Sequence, residues 1–156
     1  MVRIELTLEI ASPAEKVFAA LTDLEQLPDW QSSAVSSTPD GPLAVGTRIR
    51  EQRRLMGREL DNELEVTAYD PPRRFALEGR TGPVPLSIDH ELVEKDGKTV
   101  VCVHAQAEPG ALYKLAEPMI KRTAEQELRT DFERLKGCLE AGDNVTAAAS
   151  TPVANQ

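Results

Sequence analysis

Val2, Ile4, Leu6, Leu8 and Ile10 alternate with Arg3, Glu5, Thr7 and Glu9 at the start of the chain. A period of two puts the apolar set on one face, which predicts a half-buried strand. Ser12-Pro13-Ala14-Glu15 then reads as a capping box with proline at the first helical position. Ala14, Val17, Phe18 and Leu21 supply the buried stripe of a short helix. A second short helical piece is expected from Asp23 to Leu27, ending at Pro28 and delivering Trp30.

Gly46 to Tyr69 has the pattern of a hairpin turning at Met56-Gly57. That register pairs Arg54 with Glu59, Gln52 with Asp61, Arg50 with Glu63 and Arg48 with Glu65. Three of the four pairs are opposite charges, each worth a few tenths of a kcal/mol up to about 1, so this face is solvent. The other face carries Thr47, Ile49, Glu51, Arg53 and Leu55 opposite Leu60, Asn62, Leu64 and Val66. Arg74 to Arg80 is a further strand, with Phe75 and Leu77 on one face. Asp96-Gly97 is a strong hairpin signal. Around it Leu92 faces Val101, His90 faces Val103 and Ile88 faces Ala105, while Asp89 meets His104 and Glu91 meets Cys102 on the opposite side.

The last element is one long helix, roughly Gly110 to Ala141, about 48 Å at 1.5 Å per residue. Its stripe is Leu112, Leu115, Met119, Ile120, Leu128, Phe132, Leu135 and Leu139, with Pro118 expected to kink it or mark its real start. This order predicts an α+β fold, an antiparallel sheet packed on a terminal helix. Residues 1–142 form the domain, and the Ala/Thr/Ser-rich stretch 143–156 is expected to be a disordered tail.

Composition narrows the function classes. The 156 residues carry 18 Lys+Arg against 26 Asp+Glu, a formal charge of −8, which argues against nucleic acid and anionic membranes as partners. The 40% apolar content suffices for one core. No stretch is apolar enough for a signal peptide or a membrane span. Cys102 and Cys138 form no CxxC and are expected to be reduced, in a cytoplasmic protein. Walker A, GxGxxG and GxSxG motifs are absent, and Cys102 with His104 is a poor zinc set, so no cofactor and no metal is expected. The Asn144-Val145-Thr146 sequon is a chance match in such a chain.

The opening strand running into Ala11-Ser12-Pro13-Ala14-Glu15-Lys16-Val17-Phe18, the stretch Asp23-Leu24-Glu25-Gln26-Leu27-Pro28-Asp29-Trp30, then Val45-Gly46-Thr47-Arg48, Tyr69-Asp70-Pro71-Pro72-Arg73-Arg74-Phe75 and Asp131-Phe132-Glu133-Arg134-Leu135-Lys136 resemble the START-like helix-grip superfamily. That superfamily includes Bet v 1-like proteins, coenzyme Q-binding proteins and the polyketide cyclase/dehydrase and lipid-transport-like branch. The resemblance covers residues 2 to 142. It implies a curved sheet of about seven strands gripping the long helix, two short helices after the first strand, and an apolar cavity between sheet and helix. None of the matching stretches is a catalytic motif.

Polar groups on the inner face are the candidates for chemistry. Glu51 and Arg53 share that face with Asn62 opposite. They form either a hydrogen-bonded cluster at the cavity wall or solvated strand-end charges. In a cluster, Arg53 would hold a ligand carboxylate, phenolate or enolate, and Glu51 would orient it or act as a base. His90, flanked by Leu86, Ile88 and Leu92, should point inward, as a proton carrier or as a core histidine with one partner. His104 should face outward against Asp89. Trp30 would border the cavity mouth or close the helix–sheet seam. Ile49, Leu64, Phe75, Leu77, Ile88, Val103, Met119 and Ile120 are candidate walls, Thr123 and Tyr113 add polar contacts, and the loop Gly79–Pro85 is a connector or a lid. The first reading is a binding or carrier protein for a small hydrophobic molecule (lipid, quinone or polyketide-like), a monomer or homodimer without membrane insertion. The alternatives are a cofactor-free aromatase/cyclase or dehydratase, with His90, Glu51 and Arg53 as its catalytic candidates, and a protein–protein module with a filled cavity.

Overall fold

The alternating segments pair into one antiparallel sheet. The computed structural model describes residues 1–55, 57–79, 85–110 and 115–154, with the side chains of Leu55 and of residues 143–154 left aside. Strand β1 (Val2–Ile10) is followed by helix α1 (Ala14–Thr22), a 3-10 turn (Leu24–Gln26) and the single-turn helix α2 (Leu27–Trp30). Strands β2 (Ala34–Pro39), β3 (Arg48–Leu55), β4 (Arg58–Asp70), β5 (Arg74–Gly79), β6 (Leu86–Lys95) and β7 (Lys98–Ala107) come next, and helix α3 (Glu117–Ala154) ends the chain. The seven strands lie in the order β1-β7-β6-β5-β4-β3-β2, so the first strand closes against the last. This is the α+β helix-grip arrangement.

Both expected hairpins have the expected register. Arg54 lies opposite Glu59, Gln52 opposite Asp61, Arg50 opposite Glu63 and Arg48 opposite Glu65. The ion pairs formed on that exposed face are Arg54–Glu59 at 3.0 Å and a diagonal Arg48–Glu63 at 3.4 Å. In the β6–β7 turn Asp96 and Gly97 have φ of 56° and 77°, the left-handed pair that a two-residue hairpin of matching twist needs. His104 faces outward opposite Asp89, but its charged neighbour is Glu5 of β1 at 3.5 Å. Asp89 is already held by Arg74, which donates through Nε at 3.1 Å and Nη2 at 2.7 Å.

Three local expectations are corrected. The capping box does not form: Pro13 occupies the N-cap position of α1, Ser12 Oγ has no hydrogen-bond partner among the described residues, and Glu94 of β6 accepts the Ala14 amide at 2.6 Å. Pro28 does not end a helix but sits in the first turn of α2, where a missing N–H costs nothing. The third is the start of the long helix, which is Glu117 instead of Gly110; Pro118 marks that real start, one of the two roles expected of it. The expected helical positions 111–114 lie outside the described residues. Strand β2, short, polar and at the sheet edge, has no clear period and is an element the pattern missed.

Phe132 and Leu135 of α3 are buried, and Leu128 and Leu139 pack beside them. Five aromatic side chains and one imidazole then run through the core in contact. Trp30 meets Phe132 edge-on at 5.2 Å, and Phe132 meets His90 at 6.0 Å. His90 stacks on Phe75 at 6.0 Å, and Phe75 meets Phe18 and Tyr69, each at 6.3 Å. Such pairs add about 0.5–1.5 kcal/mol each beyond the area they bury. The helix runs beside β1, and its Glu140 accepts the Ala11 amide at 2.8 Å. Among the described residues no helix is long and apolar enough to cross a membrane.

Phe132→Ala is expected to cost about 3–5 kcal/mol, by lost transfer energy and the cavity left behind. Met119→Ala, at a side chain 73% exposed, is expected to stay within about 0.5 kcal/mol. Urea denaturation of the two variants checks both values.

Candidate functional site

Thr47, just before β3, and Ile49, Glu51 and Arg53 within it share the inner face, and the first three are buried. Glu51 is only 3% exposed, so it needs a partner. Arg53 supplies it: Nη2 lies 2.7 Å from Glu51 Oε1. The guanidinium also donates from Nη1 to Ser33 Oγ at 2.8 Å and from Nη2 to Gln31 Oε1 at 2.6 Å. Gln31 and Ser33 come from the link between α2 and β2, and the Arg54 amide donates to the Ser33 carbonyl at 2.8 Å. The cluster reading of Glu51 and Arg53 therefore describes the arrangement, and solvated strand-end charges do not. Asn62 lies opposite Glu51 in the ladder, half-buried, with no hydrogen bond to the cluster among the described residues.

The same link is tied on its other side to α3. The Ser32 amide donates to Asp131 Oδ1 at 3.1 Å and Ser32 Oγ to Glu127 Oε1 at 3.2 Å, while Arg134 Nη1 donates to the Trp30 carbonyl at 3.3 Å. Burial pushes the Asp131 carboxyl above the usual carboxylate range, against the pull of its bonds to Ser32, and Glu127 raises it further.

His90 is buried, with Phe75 stacked on it and Phe132 tilted against it. Its Nδ1 lies 2.9 Å from the Phe75 carbonyl, so the neutral ring donates there and keeps Nε2 as its acceptor. Burial is the dominant effect on its pKa and lowers it below the ordinary 6.5, despite the carbonyl and the nearby Asp89. This is the core histidine with one backbone partner.

The remaining candidates divide into three sets. Ile49, Leu64, Phe75 and Val103 are buried core, and Trp30 closes the helix–sheet seam, its Nε1 unpartnered among the described residues. Leu77, Ile88 and Ile120 are half-buried. Met119 and Thr123 are exposed, contrary to their expected place in the wall. The half-buried line of α3 is Ile120, Ala124 and Leu128, and each of the two exposed residues precedes a member of that line by one position, a turn of about 100° around the helix. Leu115, expected in the buried stripe, is fully exposed. Tyr113 and residues 80–84 of the Gly79–Pro85 loop lie outside the described residues.

Sequence reasoning missed Gln31, Ser33, Ser32 and Asp131. Asp131 carried a signal, because it is three residues after Leu128 and four before Leu135 on the apolar side of the helix. The serines and Gln31 sit in a polar link with no period. A separate open groove of about 390 Å³ lies between α1 and the Pro71-Pro72 turn, lined by Glu15, Phe18, Ala19, Thr22 and Tyr69 with the two prolines. None of the candidate residues borders it.

The class this fold defines is confirmed by comparison. The family described as polyketide cyclase / dehydrase and lipid transport matches residues 1–140, and the chain belongs to it. Solved structures agree at the level of fold. TTHA0849 from Thermus thermophilus is 17% identical with a TM-score of 0.77, covering 90% of this chain and 98% of that one. DR_A0006 from Deinococcus radiodurans is 22% identical with a TM-score of 0.70, covering 90% and 99%. A START superfamily protein from Mycobacterium smegmatis is 19% identical with a TM-score of 0.73, covering 89% and 97%. No curated protein matches the chain in sequence.

Two of the buried titratable groups, His90 and Asp131, act on stability with opposite signs. His90 is depressed, so the unfolded chain takes up a proton near pH 6.5 that the folded chain refuses, and stability falls as pH drops below that point. Asp131 is raised, so the folded chain binds its proton first and acidification restores stability. Denaturation midpoints at neutral pH and near pH 5 are expected to show a smaller acid loss in His90→Leu than in the native chain, and a larger one in Asp131→Asn.

Proposed function

We propose that this protein binds or carries a small hydrophobic molecule between the concave face of the sheet and α3. The observation that supports this reading is a division of that face into a fully buried part and a part whose inward apolar side chains stay partly exposed. One cross-strand row is Phe75, His90, Val103 and Leu6, all buried, with Phe132 against His90 and Trp30 against Phe132. The next row is Leu77, Ile88 and Ala105, ending at Ile4, and the one beyond is Gly79, Leu86 and Ala107, ending at Val2.

In these two rows Leu77, Leu86, Ile88, Ala105 and Ala107 point inward yet stay half-exposed. Side chains shrink from Val103 to Ala105 and Ala107 on β7 and from Phe75 through Leu77 to Gly79 on β5, where Leu64 packs against the glycine, while β6 continues from His90 with Ile88 and Leu86. Inward-facing apolar surface left uncovered is what an apolar guest would bury, at about 25 cal/mol per Å². The lipid-transport part of the family's description agrees with this use. Proton transfer by His90, which a cyclase or dehydratase would need, has less support, because the ring is buried and its Nδ1 is committed to a backbone carbonyl.

A neutral fluorescent probe, N-phenyl-1-naphthylamine, is expected to bind at one site per chain. Ala105→Phe should cover that part of the face and abolish that binding while leaving the denaturation midpoint near its native value. Absence of saturable binding by the native protein, or unchanged affinity in Ala105→Phe, would overturn the reading.

A further inference from the structure

We infer that the polar end of the bound molecule is an uncharged oxygen, a hydroxyl or a carbonyl, and that the Arg53 wall rejects carboxylates and other anions. The inference rests on the binding reading above and assigns its ligand class. An arginine on a cavity wall ordinarily invites a carboxylate through two parallel N–H donors. A guanidinium has two such edges, Nη1 with Nη2 and Nε with Nη2, and both use Nη2. Here Nη2 donates to Gln31 Oε1 at 2.6 Å and lies 2.7 Å from Glu51 Oε1, so two oxygens already crowd the nitrogen that either edge needs. Nη1 gives one hydrogen to Ser33 Oγ at 2.8 Å. Nε and the second Nη1 hydrogen have no acceptor among the described residues, but a carboxylate gripping either edge would have to set one oxygen at Nη2, against the Gln31 and Glu51 oxygens.

Charge points the same way. Glu51 neutralises Arg53 within the wall; behind Ser32, Asp131 is paired with Arg134 at 3.9 Å and Glu127 accepts from the Ser32 hydroxyl, so Arg53 and Arg134 are each matched by a carboxylate. An anion entering here would meet no uncompensated cation. Asn62, half-buried opposite Glu51 and unbonded among the described residues, offers an amide donor and acceptor suited to a neutral oxygen.

The test displaces N-phenyl-1-naphthylamine with decan-1-ol and with decanoate at pH 7.5, in the native chain, Glu51→Gln and Asn62→Leu. Glu51→Gln keeps an acceptor for Arg53 but leaves its charge uncompensated. Any apolar pocket disfavours a charged headgroup, so the deciding quantity is the change in the alcohol-to-carboxylate ratio. The native chain is expected to prefer the alcohol, Glu51→Gln to shift the ratio toward decanoate by about tenfold or more, and Asn62→Leu to weaken decan-1-ol severalfold. Decanoate binding as tightly as the alcohol in the native chain would overturn the inference and leave the binding reading standing. So would a ratio unmoved in Glu51→Gln, or an unchanged decan-1-ol affinity in Asn62→Leu, which keeps the ion pair. A native chain that binds neither the probe nor either competitor would overturn both.

Discussion

The rest of the structure depends on Phe132 inserted between Trp30 and His90. The sheet alone has one apolar face to cover, and α3 alone has a narrow stripe. Phe132 is where they meet, and Trp30 brings the α2 turn to the same point. Because His90 also stacks on Phe75, the contact extends to Phe18 of α1 and Tyr69 of β4. The three phenylalanines and the single tryptophan of the chain are all spent on this row. A close-packed aromatic row holds sheet and helix together at one place, and further along the sheet the side chains are smaller, Ala105 and Ala107 on β7 and Gly79 on β5, where Leu64 takes up the room, its Cδ2 2.8 Å from where a Cβ would stand.

The polar wall on β3 is held from the same side. The short link from Trp30 to Ser33 is bonded alternately to α3 and to β3. Arg134 and the two acidic residues of α3 hold Trp30 and Ser32, and Arg53 and the Arg54 amide hold Gln31 and Ser33. A buried ion pair is weak support for stability in itself, since desolvation consumes most of its attraction. Its use here is geometric, in fixing the guanidinium at a stated place and orientation.

Much of the architecture was legible because it rests on local periodicity. The Asp96-Gly97 turn set the β6–β7 register, and the alternation of charges set that of β3 and β4. Those two registers placed His90, Glu51 and Arg53 on the inner face. The partners of these residues were less legible, because partnership depends on elements far apart in the chain. Gln31 and Ser33 lie in a link with no pattern, and Asp89 met Arg74 instead of His104 because the neighbouring strand offered a better-shaped cation. Met119 and Leu115 fit the helical stripe, yet Met119 is exposed in the first turn of α3 and Leu115 is exposed just before it, upstream of the packed stretch around Phe132. Helical spacing says which residues share a side, and only the packed fold says how far along the helix that side is covered.

The bond from Glu94 to the first amide of α1 has a consequence for the order in which this chain can fold. Helix α1 opens on Pro13 without a side-chain cap of its own, and its cap is a carboxylate 80 positions downstream. Thr99, on the far side of the same turn, donates to the Ser12 carbonyl at 2.7 Å. A nascent chain that has made only β1 and α1 has neither contact, and β1 has no strand to pair with until β7 is complete. A nine-residue helix is too short to persist alone in water. The β1–α1 segment is therefore a late-ordering segment that waits for the β6–β7 hairpin, and on a ribosome it would remain unfolded until most of the domain had emerged.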